Sequence, residues 1–392
     1  MATVKVIEGR HKRIEKGHPW VYKTEIAQIE GEAAGGDIVD VVDFRGRFLG
    51  RGYLNTRSML TVRIMTHKKD ELICEQTIRE RLRRAWSYRQ RIFSNPAPHA
   101  CRVVFGEADL LPGLIVDKFH DHLVIQTLAL GIALWQEVIV DELIALIKPA
   151  AIYERNDQRV RELEGLEQKK GPLYGDVRNP VIIQENEVKV YVDIITGQKT
   201  GYFLDQQENR KALKPYVSGA KVLDCFCHTG SFALHAAQYG AREVEAIDIS
   251  SEALATAQKN ADLNGFTNIT FREANVFDEL RSKTEQKELY DVVILDPPAF
   301  TKSKSAQGGA VRGYKEINLR GMKLLPPGGI LMTNSCSYYM PEELFLEVIQ
   351  EAAHDLKRKV RLIEIRRQAK DHPMLLGYPE SYYLKCAIIE VL

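Results

Sequence analysis

The chain has 392 residues, more than one compact core usually holds, so two or three domains are expected. Its composition is typical of a globular protein, with 45% hydrophobic and 27% charged residues. The net charge is only +1, but residues 1–95 hold 19 Lys and Arg against 12 Asp and Glu, whereas the remainder holds 35 against 41. This basic end favours a polyanionic partner, with a solvated charged surface as the alternative.

Several protein classes are disfavoured by the pattern. The six cysteines are scattered, which does not resemble a disulfide framework. Cys225 and Cys227 precede one histidine but lack a second ligand pair at zinc-finger spacing, so we expect no metal. The most apolar long stretch, Leu123–Trp135, is shorter than the roughly 18 residues that a membrane span needs. Because the start also lacks the apolar core of a signal peptide, we expect a cytoplasmic protein without membrane contact.

The first part of the chain, residues 1–72, has the pattern of a small β-rich module. Alternating or β-branched runs at Asp37–Phe44 and Met59–Met65 lie between glycine-rich turns and predict short strands. A charged amphipathic helix is expected over Glu71–Ile92, ending at Ser94–Pro98. Its arginines form either a solvated helix face or an RNA contact.

Residues 73–180 predict an α+β domain, because several strand patterns flank one helix pattern. Strands are expected at Arg102–Phe105, Leu114–Asp117, Leu123–Leu128 and Ala151–Glu154, and a helix at Leu134–Ile147. Lys169–Pro172 is expected to be a turn near the end of this domain.

From residue 181 the pattern changes to a hairpin, Val181–Ile183 with Val188–Ile194, followed by alternating strands and helices. The expected strands are Lys221–Asp224, Glu243–Asp248, Ile269–Arg272, Asp291–Leu295, Gly329–Asn334, Val360–Glu364 and Tyr382–Val391. The expected helices are Phe232–Tyr239, Glu252–Asn264, Tyr314–Leu325 and Pro341–Asp355. Such alternation predicts an α/β fold with a doubly wound, mostly parallel seven-stranded sheet over residues 181–392.

The first strand-to-helix turn of this sheet, Asp224–Phe232, contains a single glycine and no G-x-G-x-x-G. That disfavours a dinucleotide, whose pyrophosphate needs close backbone approach. S-adenosylmethionine has no phosphate and needs a tight turn and an acid for its ribose diol. Asp248 ends the second strand, where a carboxylate accepts from ribose hydroxyls; a helix N-cap is the alternative, although Ser250 could provide that cap. Asn275 follows the third strand, at the usual adenine position, or is only a turn residue.

Two loops at the next strand ends carry candidate catalytic groups. Asp296–Phe300 places an acid before two prolines and an aromatic residue, a rigid loop typical of methyl transfer to a nucleobase or amine. Cys336 follows the fifth strand, across the cleft from Asp296. Since C5 of a pyrimidine is a poor nucleophile, a thiolate that adds at C6 would activate it, with an acid near N3 stabilising the adduct. A small buried apolar residue is the alternative for Cys336.

At these residues the chain resembles the PUA-domain-containing ribosomal RNA methyltransferases that make 5-methylcytosine in large-subunit rRNA. The matching motifs are Gly17–Val21, Glu107–Leu114, Gly197–Gln206, Asp224–Phe232, Leu295–Phe300, Arg312–Lys315, Asn334–Ser337, His372-Pro373 and Pro379–Lys385. They occur in order over essentially the whole chain, which makes the resemblance far more specific than any one motif.

The resemblance implies an N-terminal PUA domain at 1–72, a central α+β domain at 73–180 and a Rossmann-like class I methyltransferase domain at 181–392. It implies Cys336 as nucleophile and Asp296 as the acid that contacts the base. Ala299 stands where other 5-methylcytosine RNA methyltransferases carry a release cysteine, so one thiol must suffice. The resemblance also implies that Lys199–Gln206 closes over S-adenosylmethionine, with Thr200, Tyr202, Phe203 and Gln206 in contact with it. With the strand-end residues, the full set of candidate cofactor-binding residues is Thr200, Tyr202, Phe203, Gln206, Asp224, Phe226, Thr229, Gly230, Ser231, Asp248, Asn275 and Asp296.

The expected partner is RNA, in the form of large-subunit rRNA, and the edges of the β-rich module would also support a homodimer. The candidate RNA contacts are Arg10, Lys12, Arg13, Phe300, Lys302, Tyr314 and Tyr338. The basic residues would dock phosphates, and the aromatic residues would stack on a flipped base or belong to the core. Two alternatives stay open: methylation of a base nitrogen of guanine or adenine, which needs no thiol, and a non-catalytic RNA-binding assembly factor.

Overall fold

A computed structural model of the chain describes residues 1–93, 99–301 and 303–392. The chain divides into two compact units. The first comprises Met1–Ile183, Val192–Leu204 and Lys370–Ser381, and the second comprises Gln184–Tyr191, Asp205–Ala369 and Tyr382–Leu392. The predicted three-domain division stays a prediction, since the first unit contains two sheets and also takes in two later segments.

The first sheet of the first unit is formed by the N-terminal strands. These are β1 (Thr3–Val6), β2 (Trp20–Tyr22), β3 (Ile26–Glu30), β4 (Ile38–Val42), β5 (Phe48–Leu54) and β6 (Leu60–Thr66), with the short helix α1 (His11–Glu15) after β1. They lie in the order β2-β6-β5-β4-β1-β3, and β1 pairs with β4 in parallel. The predicted strands at Asp37–Phe44 and Met59–Met65 are confirmed as β4 and β6.

The second sheet of this unit carries helices against its apolar face. Its elements are α2 (Glu75–Phe93), β7 (Ala100–Phe105), β8 (Leu114–Phe119), β9 (His122–Thr127), α3 (Leu130–Ala133), α4 (Gln136–Ile147), β10 (Ala151–Asn156), α5 (Val160–Leu163) and β11 (Lys169–Gly175). The strand order is β11-β10-β9-β8-β7. Ile78, Leu82 and Trp86 of α2 pack into the core beneath the strands. Several α2 arginines form ion pairs: Arg79 and Arg83 with Glu142, Arg81 with Glu71 and Arg89 with Asp109.

The turn predicted at Lys169–Pro172 is wrong, because these residues belong to strand β11. Proline lacks the N–H that an inner strand must donate, which is why the sequence indicated a turn. Among the described strands β11 pairs with β10 alone and lies at the edge of its sheet, where one side of the strand needs no donor. Ile152 and Tyr153 of β10 face Tyr174 and Pro172, so the register shifts there by one residue of β11 and sets Pro172 opposite Tyr153.

The second unit contains the predicted alternating α/β domain. After the hairpin β12 (Val181–Glu185) and β13 (Val188–Val192), its elements are α6 (Gln207–Lys211), β14 (Lys221–Cys225), α7 (Ser231–Gln238), β15 (Glu243–Asp248), α8 (Ser251–Asn264), β16 (Ile269–Glu273), α9 (Val276–Glu285), β17 (Val292–Leu295), α10 (Gln307–Lys323), β18 (Ile330–Ser335), α11 (Glu342–Asp355), β19 (Val360–Arg367) and β20 (Lys385–Val391). The seven-stranded sheet has the order β16-β15-β14-β17-β18-β20-β19. The order reverses direction beside β14, so the carboxyl ends of β14 and β17 flank the crevice where open α/β sheets bind ligands.

The last pair of strands breaks the parallel pattern. β20 runs antiparallel to both β18 and β19, whereas the other neighbours in this sheet are parallel. The first residue of β20, Lys385, is therefore opposite Ser335, the last residue of β18. The start of β20 lies at the same edge as the carboxyl ends of the parallel strands.

Helix α10 begins at Gln307, well before the predicted start at Tyr314. Gly308 and Gly309 disfavour a helix by propensity, but tertiary contacts outweigh this. Ala310 is buried in the core, and the Gln307 side chain donates to the carbonyl of Tyr339 at 2.9 Å. Within the ranges that the structure describes, no helix is both long and apolar enough to cross a membrane.

Candidate active site

The turn between β14 and α7 is unusually tight. Phe226, His228 and Gly230 have φ values of +64°, +50° and +80°, in the left-handed region that ordinary residues avoid. A Cβ on Gly230 would lie 3.1 Å from Cβ of Ala257 and 3.2 Å from Cε1 of Phe271. Glycine is thus required both for the backbone conformation and for the close packing of the turn. The turn leaves Thr229 and Ser231 half-buried at the start of α7.

The two cysteines of this turn lie in the protein interior. Cys225 and Cys227 pack into different hydrophobic cores, and both are buried. Burial, the largest influence, raises the pKa of both thiols well above the ordinary value. Packing therefore accounts for both residues, and neither thiol has the environment of a nucleophile.

Asp224, near the end of β14, is a fully buried carboxylate. One oxygen, Oδ2, accepts from the N–H of Ala233 in α7 at 2.9 Å. Within the described residues its other oxygen, Oδ1, has no hydrogen-bond partner. Burial raises the pKa of Asp224 well above its usual range, and the charges of Asp296 and Asp248 add to this. An orphaned buried oxygen of this kind is suited to a donor from a bound molecule.

Asp248 ends β15 and holds the neighbouring turn. Its Oδ2 accepts from the backbone N–H of His228 at 2.8 Å, and its Oδ1 accepts from that of Ser250 at 2.9 Å. The helix that follows is capped by Ser250, whose Oγ accepts from the N–H of Ala253 at 3.2 Å. The N-cap alternative for Asp248 is therefore not needed. Its carboxylate stays half-buried beside the turn.

Asn275 is exposed and has a clear structural role. Its side chain caps α9, with Oδ1 accepting from the N–H of Phe277 at 2.9 Å. The sequence left a choice between an adenine contact and a turn residue. The geometry accounts for Asn275 as a cap, and an adenine contact stays a prediction.

Asp296 follows β17 and is held by a chain of side-chain amides. The Nε2 of Gln206 donates to Asp296 Oδ1 at 2.9 Å, and the Nδ2 of Asn209 donates to Gln206 Oε1 at 2.7 Å. Asn209 in turn donates to the carbonyl of Arg367 and accepts from Nε of Arg366, both at 3.2 Å. The buried Gln206 was predicted as a cofactor contact, but here it orients the candidate acid. Asn209 was missed, since its position in the sequence gives no hint of this contact.

Cys336 follows β18, the strand beside β17, and is partly exposed. Its Sγ lies 3.9 Å from the carbonyl oxygen of Pro297, the residue after Asp296. The fold therefore brings the thiol and acid loops, forty residues apart in the chain, side by side at the carboxyl edge of the sheet. Of the other cysteines in the ranges described, Cys101, Cys225, Cys227 and Cys386 are buried. Cys74 is exposed but is distant from Cys336 in the sequence.

The aromatic candidates differ in their exposure. Tyr314 is fully buried, packs against Phe300 with ring centroids 4.7 Å apart, and its hydroxyl accepts from Ser335 Oγ at 3.0 Å. The stacking role suggested for Tyr314 is therefore not supported, because a buried ring offers no face to a base. Phe300 is half-buried and Tyr338 is 42% exposed, so these two have surface available.

Other predicted site residues lie in the first unit. Thr200 is fully buried and donates to Asp117 Oδ2 at 2.6 Å, and Tyr202 is also buried. The Lys199 ammonium lies 4.4 Å from the ring centroid of Phe203. This hydrogen bond to Asp117 explains the buried Thr200 hydroxyl without a ligand. The cofactor role of Thr200 therefore stays a prediction.

The basic residues predicted to contact RNA differ in their exposure and contacts. Arg10 and Lys12 are exposed on and beside α1, as a phosphate contact requires. The guanidinium of Arg13, in contrast, donates to Glu25 at 2.7 Å and to the Trp20 carbonyl at 3.0 Å, so it ties α1 to its own sheet. Lys302 lies outside the described residues.

Residues 4–67 match the PUA-like domain family, and residues 170–371 match the S-adenosylmethionine-dependent methyltransferase family. Ribosomal RNA large subunit methyltransferase I of Shewanella denitrificans is 42% identical over 392 residues, 99% of each chain. The protein of the same name from Tolumonas auensis is 41% identical and covers 100% of this chain and 99% of its own. The chain belongs to the S-adenosylmethionine-dependent methyltransferase family.

Solved structures of methyltransferases share the fold. An S-adenosylmethionine-dependent methyltransferase from Streptococcus mutans aligns over 100% of both chains with a TM-score of 0.84 at 20% identity. A methyltransferase complexed with SAH aligns over the same share with a TM-score of 0.86, also at 20% identity. The PUA-like and methyltransferase assignments expected from the sequence are thereby confirmed at the level of fold.

The residues of the β14–α7 turn fit the cofactor of this family. The unpartnered oxygen of Asp224 can accept from an ammonium group of a bound molecule. Asp248, at the end of the next strand, can accept from a diol. Bound S-adenosylmethionine supplies an electrophilic methyl group on its sulfonium.

Proposed function

We propose that this methyltransferase modifies C5 of a cytosine in large-subunit rRNA, with Cys336 as nucleophile and Asp296 as the acid at the base. The names of the relatives in Shewanella and Tolumonas support the rRNA substrate. The observation that carries the chemistry is the pairing of loops: the Cys336 thiol lies against the loop that Asp296 begins, 3.9 Å from the Pro297 carbonyl. A methyltransferase for base nitrogens needs no thiol at this edge.

The proposed reaction uses Cys336 to activate the base. The Cys336 thiolate bonds to C6, and the electron pair of the C5–C6 bond becomes available at C5, which can then be methylated. Asp296 stabilises the adduct by hydrogen bonding or proton donation at N3. When C5 loses its proton to a base, the S–C6 bond breaks, the double bond re-forms and the thiolate is regenerated. Ala299 offers no thiol for this release, so Cys336 serves alone.

Access to these groups requires the cytosine to leave its stack. Phe300 and Tyr338, which keep exposed surface, are the proposed contacts for the flipped base. Arg10 and Lys12 are the proposed phosphate contacts in the PUA-like domain, where they would position the RNA without reading its sequence. We place this activity in the cytoplasm.

The test is incubation with unmodified large-subunit rRNA and labelled cofactor, followed by identification of the modified nucleoside. Wild type should form 5-methylcytosine and Cys336→Ala should form none. Cys74→Ala is the matched control, because it removes an exposed thiol elsewhere in the chain and should keep full activity. Full activity of Cys336→Ala, or label on a base nitrogen, would replace this proposal with nitrogen methylation. RNA binding without any label incorporation would favour an assembly factor.

A further inference from the structure

A buried lysine lies behind the loop that carries Cys336. The side chain of Lys385, the first residue of β20, is only 1% exposed. Its ammonium donates to the Ser337 carbonyl at 2.6 Å and to the Tyr383 carbonyl at 2.9 Å. Because Lys385 is paired opposite Ser335 in the sheet, its contacts fall on both sides of Cys336 in the chain. The lysine thus fixes the backbone on which the thiol is mounted.

The charge of this lysine is poorly compensated. Within the described ranges its ammonium hydrogen-bonds to backbone carbonyls and forms no ion pair with a carboxylate, although buried ammonium groups are usually paired. Burial lowers the pKa of Lys385 to about 8, and interaction with the Cys336 thiolate opposes that shift. The two carbonyl oxygens and the Tyr382 ring, whose centroid lies 5.8 Å from the ammonium, offset only part of the cost of burying this charge. An anion nearby offsets more, and two groups interact with the ammonium in this way, the Cys336 thiolate more strongly than the Glu342 carboxylate.

We propose that Lys385 is a positioning residue that holds the Cys336 loop through the Ser337 carbonyl and stabilises the Cys336 thiolate with its charge. This role deepens the proposed function and rests on it, because it assigns a support to the proposed nucleophile. A thiol gives its proton to solvent more readily beside a cation, and the thiolate is the form that attacks carbon.

Other ionisable groups near Cys336 influence the balance between its thiol and thiolate forms. Tyr314, on α10, interacts with both Cys336 and Asp296, which follows β17. Glu342, at the start of α11, accepts from the Tyr382 hydroxyl and interacts with Lys385. The two carboxylates disfavour a thiolate, whereas burial raises the pKa of Tyr314 to about 12 and keeps it neutral near pH 7. Lys385 provides a positive charge that opposes the acids.

The test measures the thiol directly, with neither RNA nor cofactor. The full chain is alkylated with iodoacetamide between about pH 5 and pH 10, and the rate at each cysteine is read by mass spectrometry. Cys74 in the same molecule serves as the internal reference. In wild type, the midpoint for Cys336 is expected below the ordinary thiol value of about 8.5. Lys385→Met should raise this midpoint by about one unit, a roughly tenfold slower reaction at low pH, and leave Cys74 unchanged.

Two further variants separate charge from structure. Lys385→Gln keeps N–H donors for the carbonyls but has no charge, so it should raise the midpoint as Lys385→Met does, and it decides the matter if the Met variant does not fold. Lys283→Met removes a buried lysine that binds Glu245 and Glu288 instead, and should leave the Cys336 midpoint unchanged. A wild-type midpoint in Lys385→Gln, or an equal shift in Lys283→Met, would overturn the inference.

The outcome is separable from that of the proposed function. If Cys336→Ala keeps methylation activity, the proposed function fails, while the alkylation profile still reports whether Lys385 stabilises the thiolate. If Cys336→Ala abolishes 5-methylcytosine but the midpoint does not depend on Lys385, only the present inference fails.

Discussion

The amide chain that ends on Asp296 predicts a specific kinetic defect. Gln206→Ala removes the donor at 2.9 Å from Asp296 Oδ1 and leaves the carboxylate without its support on that side. A hydrogen bond to a charged group contributes about 1.5–3 kcal/mol. If that support matters mainly in the transition state, kcat should fall by roughly 10- to 150-fold, because each 1.36 kcal/mol is a factor of ten.

Asn209→Ala should cause a smaller loss of kcat for the same reason. It removes the bond to Gln206 Oε1 but leaves Gln206 able to donate to Asp296, so a loss of about 1 kcal/mol, or roughly fivefold in kcat, is expected. The assay is methyl transfer under saturating cofactor and RNA, with cofactor Kd measured separately by calorimetry and folding checked by thermal melting. The expected order of kcat is wild type, Asn209→Ala, then Gln206→Ala, with Kd little changed.

A different result would refute this reasoning. If Gln206→Ala weakens cofactor binding tenfold or more while kcat is unchanged, Gln206 is the cofactor contact that the sequence predicted. Equal kcat values for the two variants and wild type would show that Asp296 does not depend on the amide chain.

Two further predictions concern the β14–α7 turn. Asp224→Asn keeps an acceptor for the Ala233 N–H and should raise the melting temperature of the cofactor-free protein near pH 7. The folded Asp224 carboxyl binds its proton more tightly than the unfolded one, so the stability of the wild type falls as pH rises through the folded pKa. The stability gained by Asp224→Asn should therefore vanish below about pH 4, which melting curves of both proteins across this pH range would check. The variant should also bind the cofactor more weakly. Gly230→Ala should lower both stability, by about 1–2 kcal/mol or more, and cofactor affinity. Gly265→Ala is its control, because Gly265 has a similar φ of +72° but an added Cβ there would meet no atom within 4 Å, and it should cost stability alone.

The sheet could be predicted because its strands are evident from local patterns. Strand patterns such as Glu243–Asp248 alternate with amphipathic helix patterns along the chain, and the observed β15 has the predicted bounds. Errors arose where tertiary context overrides local preference. Pro172 is tolerated because β11 lies at a sheet edge, and α10 continues through Gly308 because its first turn is anchored from Tyr339.

The candidate site was predictable in the parts that follow from topology. Carboxyl ends of neighbouring parallel strands meet at one edge, so Asp224, Asp248, Asp296 and Cys336 were expected near one another before any distance was known. Their supports were not predictable in this way. Gln206 and Asn209 precede the sheet in the chain, and nothing in their spacing points to Asp296.

Lys385 illustrates the same limit, together with the signal that could have revealed it. It is a lone lysine at the start of the apolar strand Lys385–Val391, where a charge is costly unless it has a use. In a wholly parallel sheet the start of a strand lies far from the carboxyl edge. Since β20 runs antiparallel to β18, its first residue is brought opposite Ser335, one position before Cys336. The reversal of a single strand thereby gives the thiol loop a buried cation that no neighbouring parallel strand could supply from its own first residue.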